Sequence, residues 1–208
     1  MKLFKKVIRK IYLQKRFFLS KKNIDNLSFK IFFQIKKISI WDKKYYHIFL
    51  PIKKFNEVNT LIIVNFLLKI NKYITVPVSN FNNNSINNCL FIKKNYIKKN
   101  KYGILEPKNK IFIPPIFIDV IFIPLLMFDF NGYRVGYGKG FYDNFLQSCN
   151  NNVIKIGLNF FNPKYFIKDI NNNDLRLDIG VTPNNILFFN NLIEKKFKNI
   201  PYNNSNHH

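Results

Sequence analysis

The chain is expected to fold as an α/β protein with a largely parallel sheet, and three observations predict it. Short apolar runs of strand character alternate with segments of helical periodicity along the 208 residues, which is the pattern of successive βα units. The run 117–128, rich in Val, Ile and Phe, leads directly into a glycine cluster. The cluster leads in turn into an amphipathic segment starting at Phe141. In such folds ligands sit outside the carboxyl ends of the strands, which is where the glycine cluster falls.

The elements follow in order. Residues 2–18 place Leu3, Phe4, Val7, Ile8 and Ile11 at helical spacing, so a first amphipathic helix is expected, with Lys5, Lys6 and Arg9 on its polar face. Ser20 is a candidate N-cap for a second helix over about 21–38. Residues 45–50 read as a strand closed by Pro51, and a third helix is expected to start at Glu57 behind Asn56 as N-cap. Residues 73–78 read as a strand ending near Pro77, 80–88 as an Asn-rich loop and 89–93 as a further strand. Gly103 and Pro107 punctuate a turn before an extended segment. Beyond the glycine cluster come a strand over 153–158, a loop over 162–169, a strand at Val181-Thr182 and a last strand over 186–189, then polar residues. Residues 1–200 are read as a single domain and 201–208 as a polar tail.

Composition narrows the classes. The formal charge is +23, which raises nucleic acid and anionic membranes as partners. Lys, Asn, Ile and Phe are enriched together, the lysines are spread along the chain, and there is no alanine. That is compositional drift, not the clustered patch that nucleic-acid binding needs. The two cysteines have neither metal-type spacing nor framework partners, so a reduced, cytoplasmic setting is expected. Basic residues interrupt the N-terminal apolar residues, so no secretory leader is read there. The longest apolar stretch, 111–128, contains three prolines and Asp119, unlike a membrane span.

The stretch PLLMFDFNGYRVGYGKGFYDNFL, residues 124–146, concentrates what the rest of the chain lacks. It holds Gly132, Gly136, Gly138 and Gly140, four of the seven glycines, and Arg134, one of four arginines. Strand, glycine loop, helix is an arrangement suited to phosphate. Glycines allow positive φ and close approach, successive N–H groups form an anion nest, the N-terminus of the following helix adds partial positive charge, and Arg134 and Lys139 supply full charges. Asp143 is a candidate ligand for a Mg²⁺ accompanying the phosphates. The spacing matches neither G-x-x-x-x-G-K-[ST] nor G-x-G-x-x-G. On the residues alone, a tight turn needing glycine only for geometry remains the alternative.

The same stretch closely resembles the signature of the 5-formyltetrahydrofolate cyclo-ligase (methenyltetrahydrofolate synthetase) family, roughly F-D-x-x-G-x-R-x-G-x-G-x-G-[YF]-Y-D-x-x-L. E-V-x-T at Glu57–Thr60, G-I-x-E-P at Gly103–Pro107 and an N-D element at Asn173-Asp174 stand in the family's order. The resemblance implies a Rossmann-like three-layer sandwich, a largely parallel sheet flanked by helices. It implies ATP- and Mg²⁺-dependent conversion of 5-formyltetrahydrofolate to 5,10-methenyltetrahydrofolate, with release of ADP and phosphate. The formyl oxygen would attack the γ-phosphate, and N10 would then displace phosphate and close the ring.

Site residues carried by the resemblance are expectations. Lys5, Arg9 and Arg134 would clamp the ATP phosphates, with Lys6 and Lys10 as near duplicates of the first two one residue on. Arg134 and Lys139 would serve the phosphoryl transfer. Gly136, Tyr137, Gly138, Lys139, Gly140, Phe141 and Tyr142 would cradle the nucleotide. Ile52, Glu57 and Tyr137–Phe141 would touch the folate, Glu57 as the pterin anchor; a place in a first helical turn is its plainer reading. Asp143 and Asp174 would hold Mg²⁺, and Glu106 would stand at the pocket wall. A monomer without nucleic acid or membrane partner is expected, with 5-formyltetrahydrofolate, polyglutamylated or not, as substrate. Two rivals stand beside this: a non-catalytic nucleotide or sugar-phosphate binder of similar fold, and a basic RNA-binding protein.

Overall fold

The structure is a computed structural model and describes residues 1–92 and 97–197. The elements, in order, are β1 (Lys2–Leu3), α1 (Lys5–Phe17), α2 (Lys21–Lys36), β2 (Tyr45–Ile48), α3 (Leu61–Lys69), β3 (Tyr73–Asn80) and β4 (Ser85–Leu90). There follow β5 (Ile97–Lys99), β6 (Leu105–Pro107), β7 (Val120–Pro124), β8 (Met127–Phe128), β9 (Arg134–Val135) and α4 (Phe141–Gln147). The chain continues through β10 (Ile154–Leu158), β11 (Phe166–Ile167), β12 (Ile179–Val181), β13 (Ile186–Phe188) and α5 (Asn191–Phe197).

A seven-stranded sheet in the order β13-β12-β10-β7-β2-β3-β4 forms the middle layer. Its five inner strands run parallel, and β4 and β13 add antiparallel edges. Alternation along β7 explains the layering. Val120 and Phe122 enter a core shared with α2, α3 and α5, while Ile121 and Ile123 enter a second core with Phe145 and Leu146 of α4. All four are fully buried, each worth roughly 1.5–3 kcal/mol of apolar transfer. The expected α/β sheet with helices on both faces is therefore the observed one.

The path of the chain creates the site. From β2 it moves outward to β3 and β4, then returns past β2 to β7 and continues the other way through β10 and β12. The loops after β2 and β7 thus diverge between neighbouring strands, at a topological switch point. Helix α1 lies across the carboxyl end of β7: Ile8 and Tyr12 pack with Leu126, Met127, Val135 and Ile167. The strand β1 fixes its start by pairing parallel with β11.

Several expectations are corrected. Helix α1 starts at Lys5, because Lys2-Leu3 are taken up by β1; its inward residues are Ile8, Tyr12 and Arg16, while Phe4 and Val7 are exposed. Ser20 does cap α2, accepting from the Asn23 N–H at 3.2 Å, but that helix ends at Lys36. The third helix begins at Leu61, not at Glu57: Asn56 is left-handed and closes a 3-10 turn over Lys53–Phe55. The Asn-rich segment is a hairpin, with Pro77 opposite Asn88 inside it. The run 117–128 breaks into a 3-10 turn, β7 and β8. The loop over 162–169 contains β11, and the polar residues after 189 contain α5. The strand expected over 89–93 lies within β4 only to Leu90; Lys93 and the tail 201–208 lie outside the described residues. No helix among the described residues is long and apolar enough to cross a membrane.

Candidate functional site

The glycine loop leaves β9 at the carboxyl edge and meets α1 face to face. Lys5, Arg9 and Arg16 lie within a narrow stripe of that helix, since steps of four and seven residues return to nearly the same side. The Arg9 Nε donates to the Gly136 carbonyl at 3.0 Å, and its guanidinium lies against Gly138, where an added Cβ would stand 3.2 Å from Cζ. Gly138 and Gly140 take φ of 92° and 72°, so both need glycine. Lys6 and Lys10 are exposed, whereas Lys5 and Arg9 are half-buried.

A charged cluster stands beside this loop. Arg134 is buried and ion-paired to Asp143, and it also donates to the Leu175 carbonyl at 2.5 Å. Lys5 Nζ is ion-paired to Asp174, while its backbone N–H donates to Asp169 Oδ1 at 2.7 Å. Burial works against the Arg134 charge, and Asp143 and Asp174 hold it. Asp129, fully buried, pins the turn by accepting from the Asn131 and Tyr133 N–H groups at 2.9 and 3.0 Å. Asp174 also borders a groove of about 770 Å³ lined by Tyr133, Lys155, Arg176 and Phe189.

The second half of the site is built around Glu57, which is 4 % exposed. One carboxylate oxygen accepts from the Ile52 N–H at 2.8 Å and the other from the Tyr137 hydroxyl at 2.6 Å. Arg16, 2 % exposed, donates to that same hydroxyl at 3.0 Å. Burial raises the Glu57 pKa; the bonds from Tyr137 and Ile52 and the charge of Arg16 pull it back down. Phe55 packs on the Tyr137 ring at 4.8 Å. Because Glu57 precedes α3 by four residues, the reading of it as a first-turn residue fails.

Phe141 and Tyr142 open α4. Phe141 packs on Phe81 at 5.4 Å, and the Tyr142 hydroxyl meets His47 Nε2 at 3.3 Å. His47 is fully buried and bonded at Nδ1 to Asn88 at 2.7 Å. Burial lowers its pKa to about 4. Lys139 is exposed at the loop tip, and Glu106 is buried and accepts from Asn100 at 2.8 Å, tying the β5–β6 hairpin.

The structure therefore brings Lys5, Arg9, Gly136, Gly138 and Arg134 with Asp143 and Asp174 to one side, and Ile52 and Glu57 to the other. Tyr137, between Gly136 and Gly138 in the loop, reaches from the first group to Glu57. The sequence reading missed Arg16, Asp169 and His47. Arg16 alone carried a signal: it is one of four arginines and follows Arg9 by seven residues, on one helix face. Asp143 and Asp174 are each already paired with a cation, and no cluster of three metal-binding side chains occurs among the described residues. Two carboxylates still suit a Mg²⁺ that takes its remaining oxygens from phosphate and water.

A parallel sheet with a glycine loop at its switch point, walled by cations on one side and a buried carboxylate on the other, defines an α/β ligand-binding protein of the Rossmann-like kind. The chain belongs to the 5-formyltetrahydrofolate cyclo-ligase family, whose model matches residues 2–164. A 5-formyltetrahydrofolate cyclo-ligase of Haemophilus influenzae is 34 % identical over 106 residues, 49 % of this chain and 57 % of that protein. The match thus spans less than two thirds of that relative. A probable 5-formyltetrahydrofolate cyclo-ligase of Schizosaccharomyces pombe is 26 % identical over 79 % of this chain and 87 % of its own. The solution structure of the Aquifex aeolicus 5,10-methenyltetrahydrofolate synthetase superposes with TM-score 0.71 at 25 % identity, covering 99 % of this chain and all of that one.

Proposed function

We propose that this protein is a 5-formyltetrahydrofolate cyclo-ligase. It converts 5-formyltetrahydrofolate and ATP to 5,10-methenyltetrahydrofolate, ADP and phosphate within a single domain, in a cytoplasmic setting. The observation that carries this reading is Tyr137, which joins a cation-walled glycine loop to a buried carboxylate. That arrangement suits a reaction between a phosphate donor and a pterin.

The residues divide the work. Lys5 and Arg9 approach the phosphates from α1, and the N–H groups of 136–140 approach from the loop. Helix α4 has only seven residues, so fixed side-chain charge and the glycine backbone carry the anion binding, not a helix dipole. Lys139 reaches in from the loop tip. Arg134 orients Asp143 and, with it, the start of α4. Glu57 receives the pterin's ring N–H and amino groups, with Ile52 and Phe141 beside it. A Mg²⁺ held by Asp143 and Asp174 would neutralise phosphate charge. The formyl oxygen is a weak nucleophile, so the protein's task is alignment and charge neutralisation. No general base is required of it.

The test is the appearance of methenyltetrahydrofolate absorbance when the protein meets 5-formyltetrahydrofolate and Mg-ATP. Product that depends on ATP supports the reading. A folded protein that binds ATP without turnover would move it to a nucleotide-binding protein of similar fold.

A further inference from the structure

Arg16 is buried at the inner end of the stripe on α1, away from Lys5 and Arg9. Its Nη2 donates to the Leu125 carbonyl at 2.5 Å, Nη1 donates to Tyr137, and Nε has no partner among the described residues. Phe160 lies under the guanidinium at 5.7 Å. Asn56 bonds the Arg16 carbonyl at 2.8 Å, anchoring the turn that precedes Glu57 to the same residue. A cation in such a place costs several kcal/mol unless a charge answers it. The carboxylate that answers it is Glu57, through one hydroxyl.

We infer that Arg16 is a positioning residue for the proposed folate site, acting through the Tyr137 hydroxyl to keep Glu57 ionised and aimed. The inference rests on the reading of Glu57 as pterin anchor. A neutral carboxyl group carries a proton of its own and cannot accept two parallel hydrogen bonds from a pterin edge. The groups that bear on Glu57 are Arg16 from α1, Tyr137 from the glycine loop and Tyr142 from α4, together with the Ile52 N–H. Arg16 is the cation among these three side chains. Tyr137 keeps its proton, because burial and Glu57 raise its pKa well above the ordinary value. It therefore donates to Glu57 while accepting from Arg16, so the polarity of the relay is fixed.

The test is an infrared pH titration of the ligand-free protein, following the protonated carboxyl band that Glu57→Gln abolishes. In Arg16→Met the midpoint should rise by about one pH unit or more, and Arg16→Lys should restore most of it. In turnover assays the acid limb of the KM for 5-formyltetrahydrofolate should move up with it, leaving the KM for ATP in place. Arg16→Gln replaces Arg16→Met should the latter not fold. An unmoved Glu57 midpoint in a folded variant that lacks the charge overturns the inference, whatever the turnover. A moved midpoint in a protein without cyclo-ligase activity sinks the reading of the reaction and leaves the effect of Arg16 on Glu57 standing.

Discussion

Gly132 and Gly136 belong to one loop, yet a methyl group added to each meets opposite surroundings. At Gly132, φ is 83° and the Cβ would fall 2.6 Å from the Phe189 ring. Gly132→Ala should cost at least about 2 kcal/mol of stability, measured by urea unfolding, from strain and overpacking together. At Gly136 nothing lies within 4 Å and φ is not positive. Gly136→Ala should leave the melting temperature nearly unchanged and weaken ATP binding about tenfold or more in calorimetry, since only a bound phosphate would meet the methyl group. Unchanged ATP affinity would remove the loop backbone from the phosphate site. Asp143→Asn needs both readouts. It should abolish most turnover and also lower stability by about 1.5–3 kcal/mol, because Arg134 keeps the Leu175 carbonyl and an amide oxygen but loses the carboxylate charge it faces. At this scale spacing alone did not separate Lys5 and Arg9 from Lys6 and Lys10; the resemblance singled them out, and in the fold Lys5 pairs with Asp174 while Arg9 meets the glycine loop. The sequence was silent on Asp169 and His47, whose partners lie far away in the chain.

Helix α4 is seated on the sheet by a tyrosine and a histidine. In the unfolded chain an imidazole ionises near 6.5, whereas His47 in the fold stays neutral down to about 4. Its share of the stability is therefore complete above pH 6.5 and is lost as pH falls from 6.5 towards 4. That loss amounts to on the order of 3 kcal/mol. Unfolding free energies measured across this range should fall less steeply for His47→Gln than for the wild type; parallel curves would remove the histidine as the cause. The elements also show where pattern reading fails. E-V-N-T looks like a helix start, but a left-handed Asn56 holds the chain in a turn and Glu57 is drawn inward by Tyr137. The asparagines of β4 look like loop because β propensity disfavours them. Pairing with β3, together with burial of Asn88 against His47, overrides that preference.

For the whole molecule, the order of the sheet decides where ligands meet. The alternation of strands and helices made the α/β class legible, and the glycine cluster marked its carboxyl edge. The strand order was not legible, because the return from β4 past β2 to β7 is a tertiary choice, and it is this return that sets the loop bearing Glu57 beside the glycine loop. A ligand that binds only the folded state stabilises all of it. At a hundredfold excess over Kd, Mg-ATP should raise the melting temperature by roughly 5–10 °C. Adding 5-formyltetrahydrofolate with a non-hydrolysable ATP analogue should raise it further. No shift with either ligand would count against the site as a whole.

Lys5 and Asp169 are separated by 164 positions, and the pairing of β1 with β11 joins the two ends of that span. A ribosome therefore finishes the first helix long before it makes the residues that hold it in place. Until residues 166–174 leave the exit tunnel, Lys5 lacks both Asp169 and Asp174 and the start of α1 lacks its β11 partner, although Arg9 and Arg16 can already meet the glycine loop. The protein should consequently gain its capacity for tight nucleotide binding in one late step of synthesis, not progressively as the chain grows.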